Sequence, residues 1–514
     1  MPLLRYTASA DNTIVNAFQP NLRVRGTGSN AGEADILEVF SIYGRQTTSS
    51  QELSRTLIKF PINEISNNRS TSAIPASGSV SFYLKLYNAP SSKTVPTDFT
   101  LVVNPMNSDW QEGIGLDLEG YKDLTKGNIG SNWMSASSTA SWNSVSGGGD
   151  WLSSSADYRY EQRFQSGLEN LEINITPLVE CWLAGTIPNY GLGVKLTSSQ
   201  EASGSGITVL ASNDQSVQNN PLGATVSNYT KRFFARKTQY FFKRPTIEAR
   251  WSDVRRDDRS HFYFSSSRAP AVDNLNTLYF YNVIRGRLAN IPNIGTGVLL
   301  VSLYSGSSPY NTGPSGSALT LYDGKTAMTG GYVSTGIYSC SIGLVSASTS
   351  PLYDVWHTGA GGSPTDEYFT GSISPRLFSA GMTLEQPQYV VNLTNLKDKY
   401  LSQETVRLNL YVRNKNWNPT IYTVAKEAPE AMPIQSASFR VYRIFDGYNA
   451  VDYGTGSDFH TGLSYDVSGN YFDFDMKLLE PGYMYGFRFA FYDEISKSWQ
   501  EQSETFKFKV EQGL

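Results

Sequence analysis

The stretch from Leu171 to Leu196 constrains the fold most, because it predicts a strand, a short helix and a second strand. Apolar residues alternate with polar neighbours over 171–175 and again over 192–196, which is the period of half-buried strands. Between them, Thr176 fits an N-cap and Pro177 fits the first helical position, where its missing N–H is not needed. We therefore predict one short helix near 177–184 and interpret it as a plug over one end of a β-sandwich.

Short strands and turns are predicted for the rest of the chain, since 13% of the 514 residues are aromatic and only 17% are charged. This composition favours strands over helices and excludes a disordered chain. A chain of this length also exceeds the size of a single hydrophobic core. The pattern predicts an all-β protein of three tandem β-sandwiches, which cover 1–254, 255–380 and 381–514.

The segment Leu479-Glu-Pro-Gly-Tyr-Met-Tyr485 resembles the tyrosine corner of fibronectin-type and immunoglobulin-like domains. In that motif a Tyr hydroxyl bonds back to the backbone and locks a Greek-key crossover. We expect this structural role for Tyr485, with Pro481 in the preceding turn. Trp182, on the apolar face of the predicted helix, is also expected to be structural. The second and third domains are accordingly predicted to be immunoglobulin- or fibronectin-like sandwiches.

Four aromatic side chains of the first domain are candidates for contact with a glycan or a partner. Tyr83 and Tyr87 lie on the polar side of an alternating strand, and Trp133 and Trp142 lie in a long Gly- and Ser-rich segment, 110–151. Exposed rings beside hydrogen-bonding groups can stack on sugars. The simpler interpretation is that the rings pack against a neighbouring chain or loop, and that the tryptophans anchor the segment onto the rim of the sandwich.

The sequence contains no set of side chains with the spacing of a catalytic or zinc site. His261, His357 and His460 are far apart and lack a second His or Cys at metal-ligand spacing, so each is interpreted as a surface or loop histidine. Asp117 and Glu119 would share one side of an extended segment, where they could hold calcium or act as a glycosidase pair. Solvated carboxylates are the simpler interpretation, so we expect no cofactor and no enzymatic activity.

The net charge and the two cysteines indicate which kinds of partner and which cellular compartment to expect for this chain. The net charge of −4 gives no general affinity for nucleic acid, and the basic residues over 231–256 are interpreted as a solvated strand face. Cys181 and Cys340 fall in different predicted domains, so we expect no disulfide framework and folding in a reducing cytosol. The N-terminus lacks a signal-peptide core, and no window holds the roughly 18 apolar residues of a membrane span. Neither nucleic acid nor membrane insertion is expected.

Spaced motifs in the first half of the chain resemble the DNRLRE-type β-sandwich, which is similar to carbohydrate-binding modules. The matching segments, in order, are Arg55–Phe60, Gly78–Tyr87, Asp109–Gly113, Glu172–Leu183, Asn189–Leu192, Phe234–Thr238 and Arg244–Glu248. The resemblance implies a jelly-roll or carbohydrate-binding-module-like sandwich for 1–254, with insertions around 113–160 that depart from the family pattern. The opening residues and Glu38–Tyr43 also resemble virion structural proteins of contractile-tailed phages, especially those of cyanobacteria.

These resemblances imply a non-enzymatic virion component on the neck, tail or baseplate. It would be made in the host cytoplasm and would bind other virion proteins and copies of itself, through the low-charge surfaces and edge strands that sandwiches expose. An alternative is a glycan-binding adhesin or host-recognition fibre module that binds host surface glycans. A polysaccharide-degrading enzyme is a third, more distant alternative. Loss of glycan binding in Trp133→Ala or Tyr83→Ala would support the adhesin, and hydrolysis that is lost in Asp117→Asn would support the enzyme.

Overall fold

The computed structural model divides into two compact units. The residues that it describes are 2–16, 30–45, 50–92, 95–116, 129–144, 147–152, 158–201, 228–266, 270, 274–306, 313–345, 351–360, 363–375, 388–416 and 431–513. The first unit comprises Pro2–Ser252 with Gly456–His460, and the second comprises Asp253–Thr455 with Thr461–Leu514. The first unit therefore ends close to residue 254, and the second holds the strands of both later predicted domains.

The first unit is a β-sandwich of two antiparallel sheets. Its strands are β1 (Leu3–Thr7), β2 (Ala10–Val15), β3 (Ile36–Arg45), β4 (Ser50–Lys59), β5 (Ser81–Leu86), β6 (Phe99–Pro105), β7 (Tyr160–Phe164), β8 (Leu171–Asn174), β9 (Leu192–Leu196), β10 (Asn228–Phe234) and β11 (Thr246–Arg250). The smaller sheet has the order β1-β11-β5-β8. The larger sheet has the order β10-β3-β4-β9-β6-β7, with β2 also paired to β4.

Alternating burial along β5 shows how the sequence builds this sandwich. Phe82, Leu84 and Leu86 are fully buried, whereas Tyr83 and Lys85 between them lie on the outer face. The inward side chains join a core between the two sheets. Each is worth about 2 kcal/mol of burial, and a slip by one residue would turn the whole set outward, so the register of the sheet is strongly specified.

The helix predicted near 177–184 is confirmed as α2 (Thr176–Leu183), with Pro177 in its first turn. The predicted N-cap is wrong, because no side chain caps the helix and Ile175 occupies the cap position. The Thr176 hydroxyl instead accepts a hydrogen bond from the Phe82 N–H at 2.8 Å, which ties the start of α2 to β5. The buried side of the helix carries Trp182, which joins the main core.

A second helix, α1 (Ile62–Ser70), corrects the prediction of only one. The sequence analysis predicts one short helix, yet the structure ends β4 at Lys59 and begins α1 three residues later. Pro61 accounts for the change, since it has no N–H to donate to a strand ladder and it suits the start of a helix. Ile62 and Ile65, three residues apart, then bury one face of α1.

The second unit begins with a β-sandwich in which one strand pairs with a strand of each layer. Its strands are β12 (Asn276–Tyr281), β13 (Val283–Ile284), β14 (Arg287–Leu288), β15 (Leu299–Gly306), β16 (Pro314–Ser315), β17 (Met328–Ser334), β18 (Ile337–Ile342), β19 (Leu352–Ala360) and β20 (Ser363–Ile373). The order is β12-β18-β17-β15-β19-β20, with β16 paired to β15, and β13 and β14 form a separate hairpin. β17 pairs with β15 over 328–330 and with β18 over 331–334. Gly330 permits this change, because a Cβ there would lie 3.1 Å from the Trp356 ring.

A second sandwich completes this unit around a core of phenylalanines. Its strands are β21 (Tyr389–Leu393), β22 (Lys399–Leu401), β23 (Thr405–Asn414), β24 (Ala437–Arg443), β25 (Asn449–Val451), β26 (Ser464–Asp466), β27 (Gly469–Asp475), β28 (Met484–Asp493), β29 (Ser498–Glu501) and β30 (Phe506–Glu511). The sheets have the orders β21-β23-β27-β26 and β22-β30-β28-β24-β25, with β29 paired to β28. Phe439 stacks on Phe472 at 4.5 Å between ring centres, which joins the two sheets.

Backbone hydrogen bonds connect the two sandwiches of the second unit. The Tyr465 N–H donates to the Arg255 carbonyl at 3.0 Å, and the Asp257 N–H donates to the Tyr465 carbonyl at 3.1 Å. The Tyr465 hydroxyl also donates to the Asp258 carboxylate at 2.6 Å. Across both units the described architecture is all-β and built of β-sandwiches, so the predicted fold class is confirmed.

Candidate functional site

Tyr83 and Tyr87 lie at the outer side of the smaller sheet, but neither offers a free ring. Tyr87 is 6% exposed, and burial raises its pKa to about 12. The Arg250 guanidinium covers one face of Tyr83, 4.2 Å from the ring centre. Arg250 is itself fixed by Glu248 and Glu172, each at 2.6 Å. Both tyrosines are therefore built into the sheet surface.

Glu248 is the centre of an ion cluster on this face. It is 2% exposed and lies 2.7 Å from Arg5, 2.6 Å from Arg250 and 3.6 Å from Lys85. Burial alone would raise the pKa of Glu248, but the three cations hold it well below the usual range. Other basic side chains from 231–256 that form ion pairs are Arg232, Arg236 and Lys237. The basic stretch thus forms internal ion pairs as well as a strand face.

Trp133 and Trp142 lie in a buried cluster on the outer face of the larger sheet. They are 7% and 5% exposed and pack with Ile14 and Leu57, which point away from the main core. Trp133 and Trp142 therefore cover a sheet face, whereas the sequence predicts that they anchor their segment onto the rim of the sandwich. Their rings pack within the protein, so they present no open face to a sugar.

The histidines are more enclosed than the surface or loop positions predicted for them. His357 is fully buried on β19, with its Nε2 3.0 Å from the Ser302 hydroxyl, and His261 is 6% exposed. Burial lowers the pKa of the half-buried His460 to about 4. Ser302 and His357 have the atoms of a nucleophile and a base, yet both are 0% exposed. Because a substrate must reach both atoms, this pair is structural.

Arg259 holds two buried carboxylates together in the second unit. Its guanidinium contacts Asp354 at 2.5 Å and also donates to Asp257. The Trp356 indole N–H donates to the same Asp354 carboxylate at 2.8 Å. Burial raises the pKa of Asp257 to about 6, against the lowering effect of Arg259. This cluster is part of the packing, since Arg259 is 6% exposed and Asp354 is fully buried.

Asp11 is a buried carboxyl group whose pKa lies well above its usual range. It is 1% exposed, and its Oδ2 accepts a hydrogen bond from the Arg236 N–H at 2.6 Å. Its own N–H donates to Glu112 Oε1 at 2.8 Å. Burial, together with the neighbouring Glu112 charge, raises the pKa of Asp11 to about 7. The group makes stability depend on pH and does not open onto a cleft.

The carboxylate pair Asp117 and Glu119 lies outside the described residues. Within the described ranges, no group of three or more His, Cys, Asp or Glu side chains is placed to hold a metal ion. Cys181 and Cys340 are free thiols. Neither α1 nor α2, nor any other helix in the described part of the chain, is long and apolar enough to cross a membrane.

An exposed aromatic patch lies on the rim of the last sandwich, and we call Phe445, Tyr483 and Met484 the rim patch. Their exposed fractions are 86%, 37% and 49%. The loop after β24 and the start of β28 are held together by a hydrogen bond from the Ile444 N–H to the Met484 carbonyl at 2.9 Å. The Arg443 guanidinium lies 4.7 Å from the Tyr483 ring centre. The patch therefore rests on a fixed backbone.

Ion pairs neutralise the charge beneath the rim patch. Arg443 contacts Asp446 at 2.6 Å and Glu480 at 2.8 Å. A hydrogen bond from Arg443 lowers the pKa of Asp446. The patch thus presents apolar rings and a thioether, with paired charges at its edge, which is the composition of a protein-binding surface.

The predicted tyrosine corner supports this rim. The Tyr485 hydroxyl donates to the Glu480 carbonyl at 2.8 Å, and the Tyr485 side chain is fully buried. Pro481 follows Glu480 in the turn that leads to Tyr483. The corner thus fixes the loop that carries Tyr483 and leads into Met484 at the start of β28. Phe445 is not among the candidate contact residues predicted from the sequence, although Asp446 and Gly447, directly after it, are typical of a hairpin turn.

The chain matches no protein-family model and no curated protein. Among solved structures it is similar to the FN1–FN3 domains of chicken CNTN1, at 10% identity and a TM-score of 0.14, over 59% of this chain and 84% of that one. It is also similar to E. coli alpha-2-macroglobulin, at 8% identity and a TM-score of 0.15, over 88% of this chain and 21% of that one. A Salmonella alpha-2-macroglobulin mutant gives 7% identity and a TM-score of 0.14, over 99% and 26%. At these scores the similarity carries no argument about function.

Proposed function

We propose that this chain is a non-enzymatic structural protein of a phage virion that acts by contact with other proteins of the particle. The observation that carries the proposal is the rim patch, where Phe445 is 86% exposed. A cluster of exposed apolar side chains on a soluble protein marks a surface that a partner covers. Aromatic residues and Met are enriched at protein interfaces, so the proposed occupant is another virion protein.

The positions of the reactive groups support a role without catalysis. The Ser302 and His357 pair is fully buried, and Asp354 is held by Arg259. Glu248 is surrounded by three cations. Catalysis requires such groups to meet in a cleft that a substrate can enter. Here they contribute to packing and to fixed charge pairs.

Placement on the neck, tail or baseplate rests on the sequence resemblance of Glu38–Tyr43 and the opening residues to virion proteins of contractile-tailed phages. The protein would be made in the host cytoplasm and then incorporated into the particle. Repetition of one subunit around a symmetric particle multiplies a weak contact into a stable one. A rim patch of a few side chains would suffice under those conditions.

Purified particles provide the test. Phe445→Ser is expected to lower incorporation of the protein into particles by about tenfold or more, because removal of a central aromatic contact costs about 2 kcal/mol or more. Ile495→Ser is the matched control, since Ile495 is a single exposed side chain at 60% on another loop. Equal thermal midpoints of both variants would show that the fold is intact. Absence of the protein from particles would refute the virion role, and equal incorporation of both variants would refute the contact.

The glycan-binding alternative needs an open aromatic surface. The burial of Trp133 and Trp142, together with the Arg250 guanidinium over one face of Tyr83, leaves the rim patch as the main surface to examine. Binding on a glycan array that is lost in Phe445→Ser or Tyr83→Ala would favour the adhesin. In that case particle incorporation should be unchanged by either substitution.

A further inference from the structure

Lys231 is a buried lysine whose amine meets a carboxamide inside the first unit. It is 1% exposed on β10, two residues from the core residue Phe233, so both side chains share the inward face. Its Nζ donates to Asn88 Oδ1 at 2.8 Å and to the Gly167 carbonyl at 2.7 Å. Lysine is rarely buried to this extent unless its environment has a specific use for the amine.

The surroundings of the amine favour its neutral, nucleophilic form. The Nζ lies 5.0 Å from the Phe164 ring centre and 5.4 Å from that of Phe233. Burial lowers the pKa of Lys231 to about 8, and the charge of Glu169 opposes this shift. About a tenth of the amine is therefore unprotonated at pH 7, and this neutral form is the one that can attack a carbonyl carbon.

Glu169 lies two residues after Gly167, whose carbonyl accepts from Lys231, and its charge acts on the Lys231 amine. Its Oε1 accepts hydrogen bonds from the Gln165 N–H at 3.0 Å and the Ser166 N–H at 2.7 Å. Its Oε2 is enclosed and has no hydrogen-bond partner among the described residues. Although desolvation would raise it, the N–H donors lower the pKa of Glu169 to about 2, so the group is an ionised but weak base, which can relay a proton to another acceptor and does not retain it.

The backbone of Asn88 is held by two contacts, one with a side chain and one with a neighbouring strand. Its N–H donates to Asn170 Oδ1 at 2.8 Å, next to Glu169 in the chain, and the residue forms a bridge with Phe233. The bond from Lys231 Nζ to Asn88 Oδ1 sets the amine beside the Asn88 carbonyl carbon. The nucleophile, the electrophile and a proton carrier are therefore preorganised.

We propose that Lys231 and Asn88 form an intramolecular isopeptide bond, with Glu169 as the proton carrier. Neutral Nζ attacks Asn88 Cγ, and a Nζ–Cγ bond forms while Oδ1 takes up negative charge. Glu169 accepts the proton from Nζ and passes it to Nδ2. The Cγ–Nδ2 bond then breaks and ammonia leaves. The product is a secondary amide, and the reaction needs no oxidant, reductant or other reactant.

The bond would join the two sheets of the first unit. Asn88 follows β5 of the smaller sheet, and Lys231 belongs to β10 of the larger sheet. The two residues are 143 positions apart in the chain. A single covalent bond would therefore close the sandwich in a chain whose two cysteines are free thiols.

The intact mass of the purified, denatured chain tests the proposal directly. The expected mass is one ammonia, about 17 Da, below that of the sequence after the state of the N-terminal residue is accounted for. Trypsin should release the peptides 86–93 and 196–232 joined, with no cleavage after Lys231. The full sequence mass with a free 86–93 peptide would overturn the proposal. A loss of 17 Da on a single linear peptide would also overturn it, because that result indicates a succinimide.

Substitutions of Lys231 and Glu169 test the role of each residue in the reaction. Lys231→Arg and Glu169→Gln are both expected to show the full mass of their sequences, because the first lacks the nucleophile and the second lacks the proton carrier. Lys195→Arg is the matched control, since burial also lowers the pKa of Lys195 to about 8 but its described contact is the Trp151 ring at 4.5 Å. The control should retain the linked peptides. A cross-link that persists in Glu169→Gln would overturn the role of that residue, and one that persists in Lys231→Arg would overturn the whole assignment.

Discussion

Loss of the proposed isopeptide bond is expected to lower the free energy of unfolding of the first unit by about 5 kcal/mol. The bond closes a loop between Asn88 and Lys231, which are 143 residues apart. A cross-link stabilises mainly by restricting the unfolded chain, and a loop of this length removes about 17 cal/mol/K of unfolded-state entropy. At 25 °C this entropy corresponds to about 5 kcal/mol.

Glu169→Gln is the perturbation of choice, because it is expected to prevent the bond while it keeps the Lys231 side chain in place. The glutamine retains an oxygen that can accept from the N–H groups of Gln165 and Ser166, so its local effect should stay within about 0.5 kcal/mol. Glu161→Gln is the matched control. Glu161 is exposed on β7 and pairs with the exposed Arg159. Loss of this ion pair should therefore change the free energy of unfolding by no more than about 0.5 kcal/mol.

Guanidinium unfolding followed by tryptophan fluorescence measures the difference. The signal reports mainly on the first unit, whose buried tryptophans are Trp110, Trp133, Trp142, Trp182 and Trp251. We expect the wild type and Glu161→Gln to share one midpoint, and Glu169→Gln to unfold at a lower denaturant concentration. The reasoning is refuted if the mass of Glu169→Gln shows no cross-link while its free energy of unfolding stays within about 1 kcal/mol of the wild type.

Two further predictions concern buried charges. Asp354→Ala removes one of the two carboxylate partners of Arg259 and the acceptor of the Trp356 indole N–H, so we expect a loss of about 3 kcal/mol in the free energy of unfolding. Hydrogen exchange in β19 and β20 measures this loss, and unchanged protection would contradict it. Asp11 has a pKa of about 7 in the folded chain against 3.8 for the free group. The folded state therefore binds more protons between these values, and the free energy of unfolding falls as pH rises through that window. Asp11→Asn should match the wild type near pH 4 and exceed it by about 4 kcal/mol at pH 8 in urea unfolding, because the neutral amide avoids the buried charge. A less stable Asn variant at pH 8 would show that the charged form is required.

Much of the fold was predictable because strand patterns are local. The alternation over Val80–Leu86 and Leu171–Ile175 identifies β5 and β8, and the Thr176-Pro177 pair locates α2 to within a residue. The tyrosine corner was also recognisable, since Tyr485 lies five residues from its acceptor, Glu480. In each case the residues that decide the structure are close together in the chain.

Features that depend on distant residues were not predictable. α1 has no clear local signal, because Ile62 continues an apolar alternation. The helix is distinguished only by the packing of Ile65 and by the end of the strand before Pro61. The sequence predicts a surface or loop position for His357, whereas it lies on a strand that is buried on both of its faces. Burial of a polar side chain depends on which elements cover a strand, and single-chain periodicity does not encode that information.

The residues of the two proposed sites also depend on contacts between distant parts of the chain, which the sequence does not show. Nothing near Lys231 in the sequence points to Asn88, because the two meet only after the sheets have packed. Phe445 could be located before a hairpin turn, but its exposure depends on the neighbouring loop that carries Tyr483. Sequence reasoning favoured the tryptophans of 110–151, which are large and frequent there, and the structure buries the two that it selected, Trp133 and Trp142.

A covalent tie between Asn88 and Lys231 would change how tension acts on the first unit. Force that enters at β1 and leaves through β11 first strains the hydrogen bonds between these neighbouring strands. The 143-residue loop behind the bond cannot extend, so about 500 Å of contour length stays protected. An enzyme or a lectin that bears no load gains little from this protection, whereas a subunit that links parts of a particle must hold its shape while its neighbours pull. The proposed bond and the exposed rim patch therefore favour the same role, in which this chain transmits force between the proteins that it contacts.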